Sequence, residues 1–170
     1  MSTPSATATK SPSSPPSPEA EGNVSLRAAP FDPWAELGAF QARAFPEAAC
    51  FGATAVFVGT MRDFNEGDDV AAMTLEHYPG MTERHLGQII EEAKSRWSVL
   101  ECLIVHRVGE IHPADPIVLT VVWSAHRAAA FEACRFLMEE LKHRAPFWKK
   151  ERLTDGGERW VEQNTPGHIE

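Results

Sequence analysis

The sequence predicts an α+β fold, a mainly antiparallel sheet with flanking helices. Three observations predict it. Four β-rich runs, at 52–60, at 70–78, from Leu100 and from Pro116, are interspersed with helix-like segments without the strict alternation that a parallel sheet requires. The runs come in successive pairs joined by short polar, turn-rich segments, which is how antiparallel neighbours connect. Finally, 170 residues of 43% hydrophobic content suffice for one well-buried core and are too few to make two domains the default.

The elements follow in order. Residues 1–25, MSTPSATATKSPSSPPSPEAEGNVS, hold Ser, Thr, Pro and Ala with almost nothing to bury, so a disordered tail is expected there and a single domain over 26–170. Asp32 and Pro33 make an N-cap and first-turn pair, and Trp34, Leu37 and Phe40 then share one face of a helix that ends before Pro46. GATAVFVGT (52–60) and VAAMTLEHY (70–78) read as strands; the polar RDFNEGDD between them predicts that they pair antiparallel. In PGMTERHLGQIIEEAKSRW, Leu86, Ile89, Ile90, Ala93 and Trp97 recur at helical spacing, the pattern of an amphipathic helix. LECLIVHRVG and PIVLTVVWS are two further strands linked by EIHPAD. The last helix starts near Ser124, buries Ala130, Cys134, Leu137 and Leu141, and must stop at Pro146, which lacks an amide hydrogen and disfavours a helical Ala145.

Composition excludes several classes of function. A net charge of -8 argues against a sequence-independent grip on nucleic acid, so any anion site is local. Cys50, Cys102 and Cys134 stand singly in no metal-ligand spacing, and each is expected to be a small buried hydrophobe in a reducing compartment. No metal site and no resident cofactor are expected: there is no HExxH, no GxGxxG, no phosphate loop and no GxSxG elbow. Without an apolar run of about 20 residues or a secretory leader, the expected location is the cytoplasm, with no membrane association.

What chemistry the sequence offers lies in basic residues at element ends. Arg62 follows the first strand. His126 and Arg127 stand where the fourth strand gives way to a helix, a junction that presents free backbone amides to an anion. Arg127 there either opposes the helix dipole for the sake of an anionic ligand or simply pairs with Glu132 or a neighbouring acid. The stretch LKHRAPFWKKE (141–151) carries Lys142, His143, Arg144, Lys149 and Lys150 around Phe147 and Trp148. It reads either as a solvated helix end or as the wall of a pocket in which crowding lowers a lysine pKa. A third reading makes Phe147 and Trp148 stacking platforms for a nucleotide or RNA.

GTMRDFNEGDDV, TLEHYPGMTE, IVHRVGEIHPAD, SAHRAAAFEA and LKHRAPFWKKE with GERWVE, spread from Gly52 to Glu162, resemble the large, catalytic subunit family of molybdopterin synthase. The resemblance implies an α/β-hammerhead fold and a sulfurtransferase of molybdenum cofactor biosynthesis. Cyclic pyranopterin monophosphate would receive two sulfurs from the thiocarboxylated C-terminus of a small ubiquitin-like partner, within a heterotetramer built on a homodimer of large subunits. This chain ends PGHIE, so the sulfur is expected from a separate protein. A ubiquitin-fold docking scaffold without catalysis is the rival reading. The family's substrate contacts fall on Thr60, Met61, Arg62, His126, Arg127, Lys142, Lys149, Lys150 and Glu151, with Lys142 and Lys149 catalytic. Arg62, His126 and Arg127 would hold the phosphate and pterin edge; the lysines would stabilise an oxyanion, move protons or attach covalently. Two departures from the family stand out: Ala114-Asp115 replaces the usual Gly-Asp before the fourth strand, and Asn164 stands where a basic residue is usual. His106 and His112 are read as structural.

Overall fold

A computed structural model of the protein describes residues 22–47 and 50–162. Its elements run β1 (Val24–Arg27), α1 (Pro33–Ala44), β2 (Ala53–Thr60), β3 (Phe64–Asn65), β4 (Asp68–His77), α2 (Met81–Arg96), β5 (Val99–Arg107), β6 (Gly109–Ile111), β7 (Pro116–Ser124), α3 (Arg127–Arg144), β8 (Phe147–Leu153) and β9 (Glu158–Val161). The class is α+β with mainly antiparallel pairing, as expected; among the described residues only β1 against β5 is parallel. Strands fall into two sheets, β1-β5-β7-β2 and β3-β4-β8-β9, with β6 added to β4.

Alternation along the strands decides where the core lies. Cys102, Ile104, Val118 and Val122 face α2 and α3, whose Leu86, Ile89, Ile90, Ala133 and Leu137 pack onto them fully buried. Leu103, Val105, Leu119, Val121 and Trp123 point the other way to Phe40 of α1. There Trp123 stacks on Phe40 at 5.2 Å and its Nε1 donates to Gln41 Oε1 at 3.0 Å. Each such apolar side chain contributes roughly 1.5–3 kcal/mol by leaving water. Helix ends obey local chemistry: Asp32 accepts from the Trp34 amide, and the Gly80 amide donates to Glu83 at 2.6 Å.

Several expectations need correction. β2 and β4 do not pair; β2 lies on β7 and β4 on β8, in different sheets. The chain leaves the first sheet after a register shift at Gly59 and Thr60 and starts the second with a β3–β4 hairpin, whose tip, Glu66 (φ 52) and Gly67 (φ 86), is left-handed. β3, β6, β8 and β9 were not expected, and β1 begins at Val24, inside the segment assigned to a tail. The rest of that tail before residue 22, and Asn164, lie outside the described residues. Cys102 and Cys134 are buried as expected, but Cys50 is exposed. Among the described residues no helix is long and apolar enough to cross a membrane.

Candidate functional site

The two sheets and the end of α3 enclose a cavity of about 440 Å³, within the usual range for small-molecule sites. Three pieces of local structure aim side chains into it. At the end of β2, the Met61 amide donates to the Asp115 carbonyl and the Ala114 amide donates back to the Met61 carbonyl, both at 2.9 Å. That clamp fixes Thr60, Met61 and Arg62 on the cavity wall, with the Arg62 guanidinium 5.0 Å from the Phe64 ring centroid. The last turn of α3 contributes Met138, Leu141 and Lys142. Pro146 then ends the helix, leaving Ala145 extended (φ -70, ψ 133), and β8 begins at once.

β8 sorts its residues by the two-residue period of a strand. Phe147, Lys149 and Glu151 face the cavity, while Trp148 packs edge-on against Tyr78 on the opposite face with ring centroids 4.8 Å apart. The two aromatics thus form no shared stacking platform. Lys150 also points away, 2.5 Å from Glu158 and over Trp160. Arg144 binds Glu92 and Glu140 on the helix surface, and His143 bonds the Glu139 carbonyl, so for these two the helix-end reading holds.

Glu151 organises the cationic wall. Its side chain, 2% exposed, accepts from Lys149 Nζ at 2.9 Å, Arg159 Nε at 2.9 Å and Asn65 Nδ2 at 2.8 Å. Burial pushes the carboxyl pKa up, but the hydrogen bond and charge of Lys149, helped by Arg159 and Asn65, win and hold it below the usual range. The Lys142 amine is held below the ordinary lysine range, first by desolvation, then by the Lys149 charge, with Arg62 adding and Glu139 opposing. Cation crowding, expected from spacing alone, is therefore present in three dimensions. Asn65, Arg159 and His106 were not foreseen as parts of the site. Asn65 sits in a hairpin and Arg159 in a separate strand, with no sequence pattern tying either to Glu151.

Six of the expected site residues, Thr60, Met61, Arg62, Lys142, Lys149 and Glu151, meet at the cavity; His126, Arg127 and Lys150 do not line it. Thr60 pairs with Pro116 and Ala53 with Ser124, so Arg62 and the SAHR junction lie at opposite ends of β7, roughly 25 Å apart at ~3.3 Å per residue. Along α3, Arg127 and Lys142 are separated by about 22 Å at 1.5 Å per residue. His126 and Arg127 are exposed, α3 has no acidic residue in its first turn, and among the described residues Arg127 makes no ion pair. The expected pairing with Glu132 is thus absent, and one chain does not gather every expected contact.

The model of the family described as MoaE protein matches residues 27–144. A molybdopterin synthase catalytic subunit of Pseudomonas aeruginosa is 51% identical over 139 residues, covering 82% of this chain and 89% of that one. Among solved structures, a molybdopterin biosynthesis MoaE protein from Burkholderia ambifaria superposes with a TM-score of 0.69 at 47% identity, over 85% of this chain and 92% of that one. The molybdopterin synthase of Staphylococcus aureus gives 0.72 at 31% identity, over 84% and 98%.

Proposed function

The chain belongs to the MoaE protein family, and from that premise we propose that it is the catalytic subunit of a molybdopterin synthase, a sulfurtransferase of molybdenum cofactor biosynthesis acting in the cytoplasm. It converts cyclic pyranopterin monophosphate to the dithiolene, taking two sulfurs from the thiocarboxylated tail of a small ubiquitin-like subunit. The observation that carries this reading is the convergence of Arg62, Lys142 and Lys149 on one cavity in a chain of net charge -8. None of the residues lining that cavity is a cysteine, which suits a sulfur brought by a partner.

The geometry supports a division of labour between the lysines. Lys149, ion-paired to buried Glu151, is a fixed positive charge suited to the oxyanion that forms as the acyl–sulfur bond breaks. Lys142, whose pKa is lowered by burial and by the Lys149 charge, gives up its proton more readily than an ordinary lysine, which suits it to proton transfer. Arg62 supplies planar, charge-assisted donors for the substrate phosphate. His126 and Arg127, too far away within one chain, serve the cavity of a second copy in the homodimer at the centre of the heterotetramer; exposure of both residues favours this.

Replacement of Lys142 or Lys149 by alanine tests the assignment. Each should abolish dithiolene formation while partner affinity stays within a few-fold of wild type. Near-normal turnover in both variants would refute it and return the protein to the class of docking scaffolds.

A further inference from the structure

His106 lies on the same wall of the cavity as Phe147, and its setting is more specific than a structural histidine needs. Alternation along β5 carries Cys102 and Ile104 into the core under α2 and α3 and puts His106 next on that face, where the cavity opens. Its ring stacks on Phe147 with centroids 4.2 Å apart and planes 16° from parallel. Nδ1 lies 2.7 Å from the Arg107 carbonyl. A carbonyl only accepts, so Nδ1 carries the proton and Nε2 carries a lone pair. Burial keeps the ring neutral, its pKa pushed down to about 4. Among the described residues Nε2 has no hydrogen-bond partner, yet it is not among the polar atoms sealed from solvent. It therefore opens on the cavity that His106 lines.

The cations around that space offer no acceptor at all. Arg62, Lys142 and Lys149 are donors only. Both oxygens of Glu151 are already engaged, one by Lys149 and Asn65, the other by Arg159. Such donors suit a phosphate but cannot read a ring N–H. A pterin offers N–H donors at its edge, and a rotationally locked, uncharged acceptor answers them. We propose that His106 is a substrate-binding residue whose Nε2 accepts a hydrogen bond from a ring N–H of the pyranopterin, orienting it relative to the cationic wall; this rests on the substrate assignment above.

Two substitutions separate the nitrogens. In His106→Asn the side-chain amide can replace Nδ1 on the Arg107 carbonyl but stops short of the cavity. In His106→Gln the longer chain places its amide oxygen near the position of Nε2. Direct binding of cyclic pyranopterin monophosphate, measured by calorimetry without the small partner, should weaken roughly tenfold to a hundredfold in His106→Asn and only a few-fold in His106→Gln. The reverse order, or wild-type binding by His106→Asn, would overturn the proposal. The wild-type protein gives an independent readout: with 15N-labelled histidine, the non-protonated Nε2 resonance of His106, assigned by its loss in His106→Gln, should move upfield on adding the pyranopterin. An unmoved resonance at saturation would overturn the proposal. Equal pyranopterin affinity with weakened binding of the partner's tail in His106→Asn would instead assign Nε2 to the tail amide and also overturn it. Wild-type protein that binds no pyranopterin at all would remove the substrate assignment and this inference together.

Discussion

Replacing Glu151 by glutamine tests whether a buried carboxylate sets up the cationic wall. The change preserves volume and one acceptor oxygen but removes the charge that faces Lys149 and Arg159 and turns an NH2 toward one of them. Losing one charge-assisted hydrogen bond costs about 1.5–3 kcal/mol. Stripping a partner from a fully buried pair costs about 3–5 kcal/mol, but the Lys149 and Arg159 side chains are 30% and 26% exposed, so water re-solvates them and the lower range applies. A loss of about 2 kcal/mol corresponds to a Tm lower by roughly 4–8 °C for a chain of this size. Turnover should fall far more, on the order of a hundredfold, because Lys149 loses the contact that aims its ammonium. The assay is dithiolene formation at a temperature well below both melting points, with partner affinity measured alongside. Wild-type turnover in a variant destabilised by the expected amount would refute the reasoning, since it would show that Lys149 needs no anchor. In the wild type the Glu151 carboxyl, held below its usual range, contributes stability that is complete above about pH 4.5 and is lost as pH falls through the folded value.

Three further outcomes follow from the same geometry. His106, with a pKa lowered from 6.5 to about 4, refuses a proton that the unfolded chain accepts, so stability should fall as pH drops from 6.5 toward 4, by about 3 kcal/mol in all. Urea melts across that window should show this limb in wild type and lack it in His106→Gln; equal slopes would contradict it. Mixing Arg127→Ala with Lys149→Ala, each inactive alone, should restore about a quarter of wild-type activity, since half the dimers are then mixed and each holds one intact site; no recovery after confirmed subunit exchange would place Arg127 outside the partner's cavity. Ala114 sits at φ 73, where a Cβ is strained, so Ala114→Gly should raise stability by up to about 1 kcal/mol in thermal melts; a lower Tm would contradict this.

How far the sequence revealed this architecture depended on what each segment buries. α2, β5 and β7 were legible because each must satisfy a continuous core, which imposes a helical period on Leu86, Ile89, Ile90 and Ala93 and a largely apolar run, interrupted at Thr120, on β7. β8 was not. One of its faces sets Lys149 and Glu151 on the cavity wall, and the other carries the exposed Trp148 and the half-buried Lys150, so FWKKERL has no apolar alternation to betray a strand. β3 and β6, at two and three residues, are too short for any period. The pairing of β2 with β7 rather than β4 was invisible because local pattern identifies strands, not their neighbours. For the site, Arg62, Lys142 and Lys149 were legible from motif and charge crowding. The distance from them to His126 and Arg127 depends on the length of β7 and α3 and needed the fold. His106 reads as structural from sequence, because the role proposed for it rests on which nitrogen the Arg107 carbonyl occupies, a matter of geometry alone.

The most direct test of the central claim is product formation. The protein would be mixed with a small ubiquitin-like partner bearing a C-terminal thiocarboxylate and with cyclic pyranopterin monophosphate, and both dithiolene and spent partner would be quantified. The account predicts dithiolene with about two thiocarboxylates consumed per product, and none from Lys149→Ala under the same conditions. No dithiolene from the wild-type protein, with a partner preparation that supports a known synthase, would contradict it.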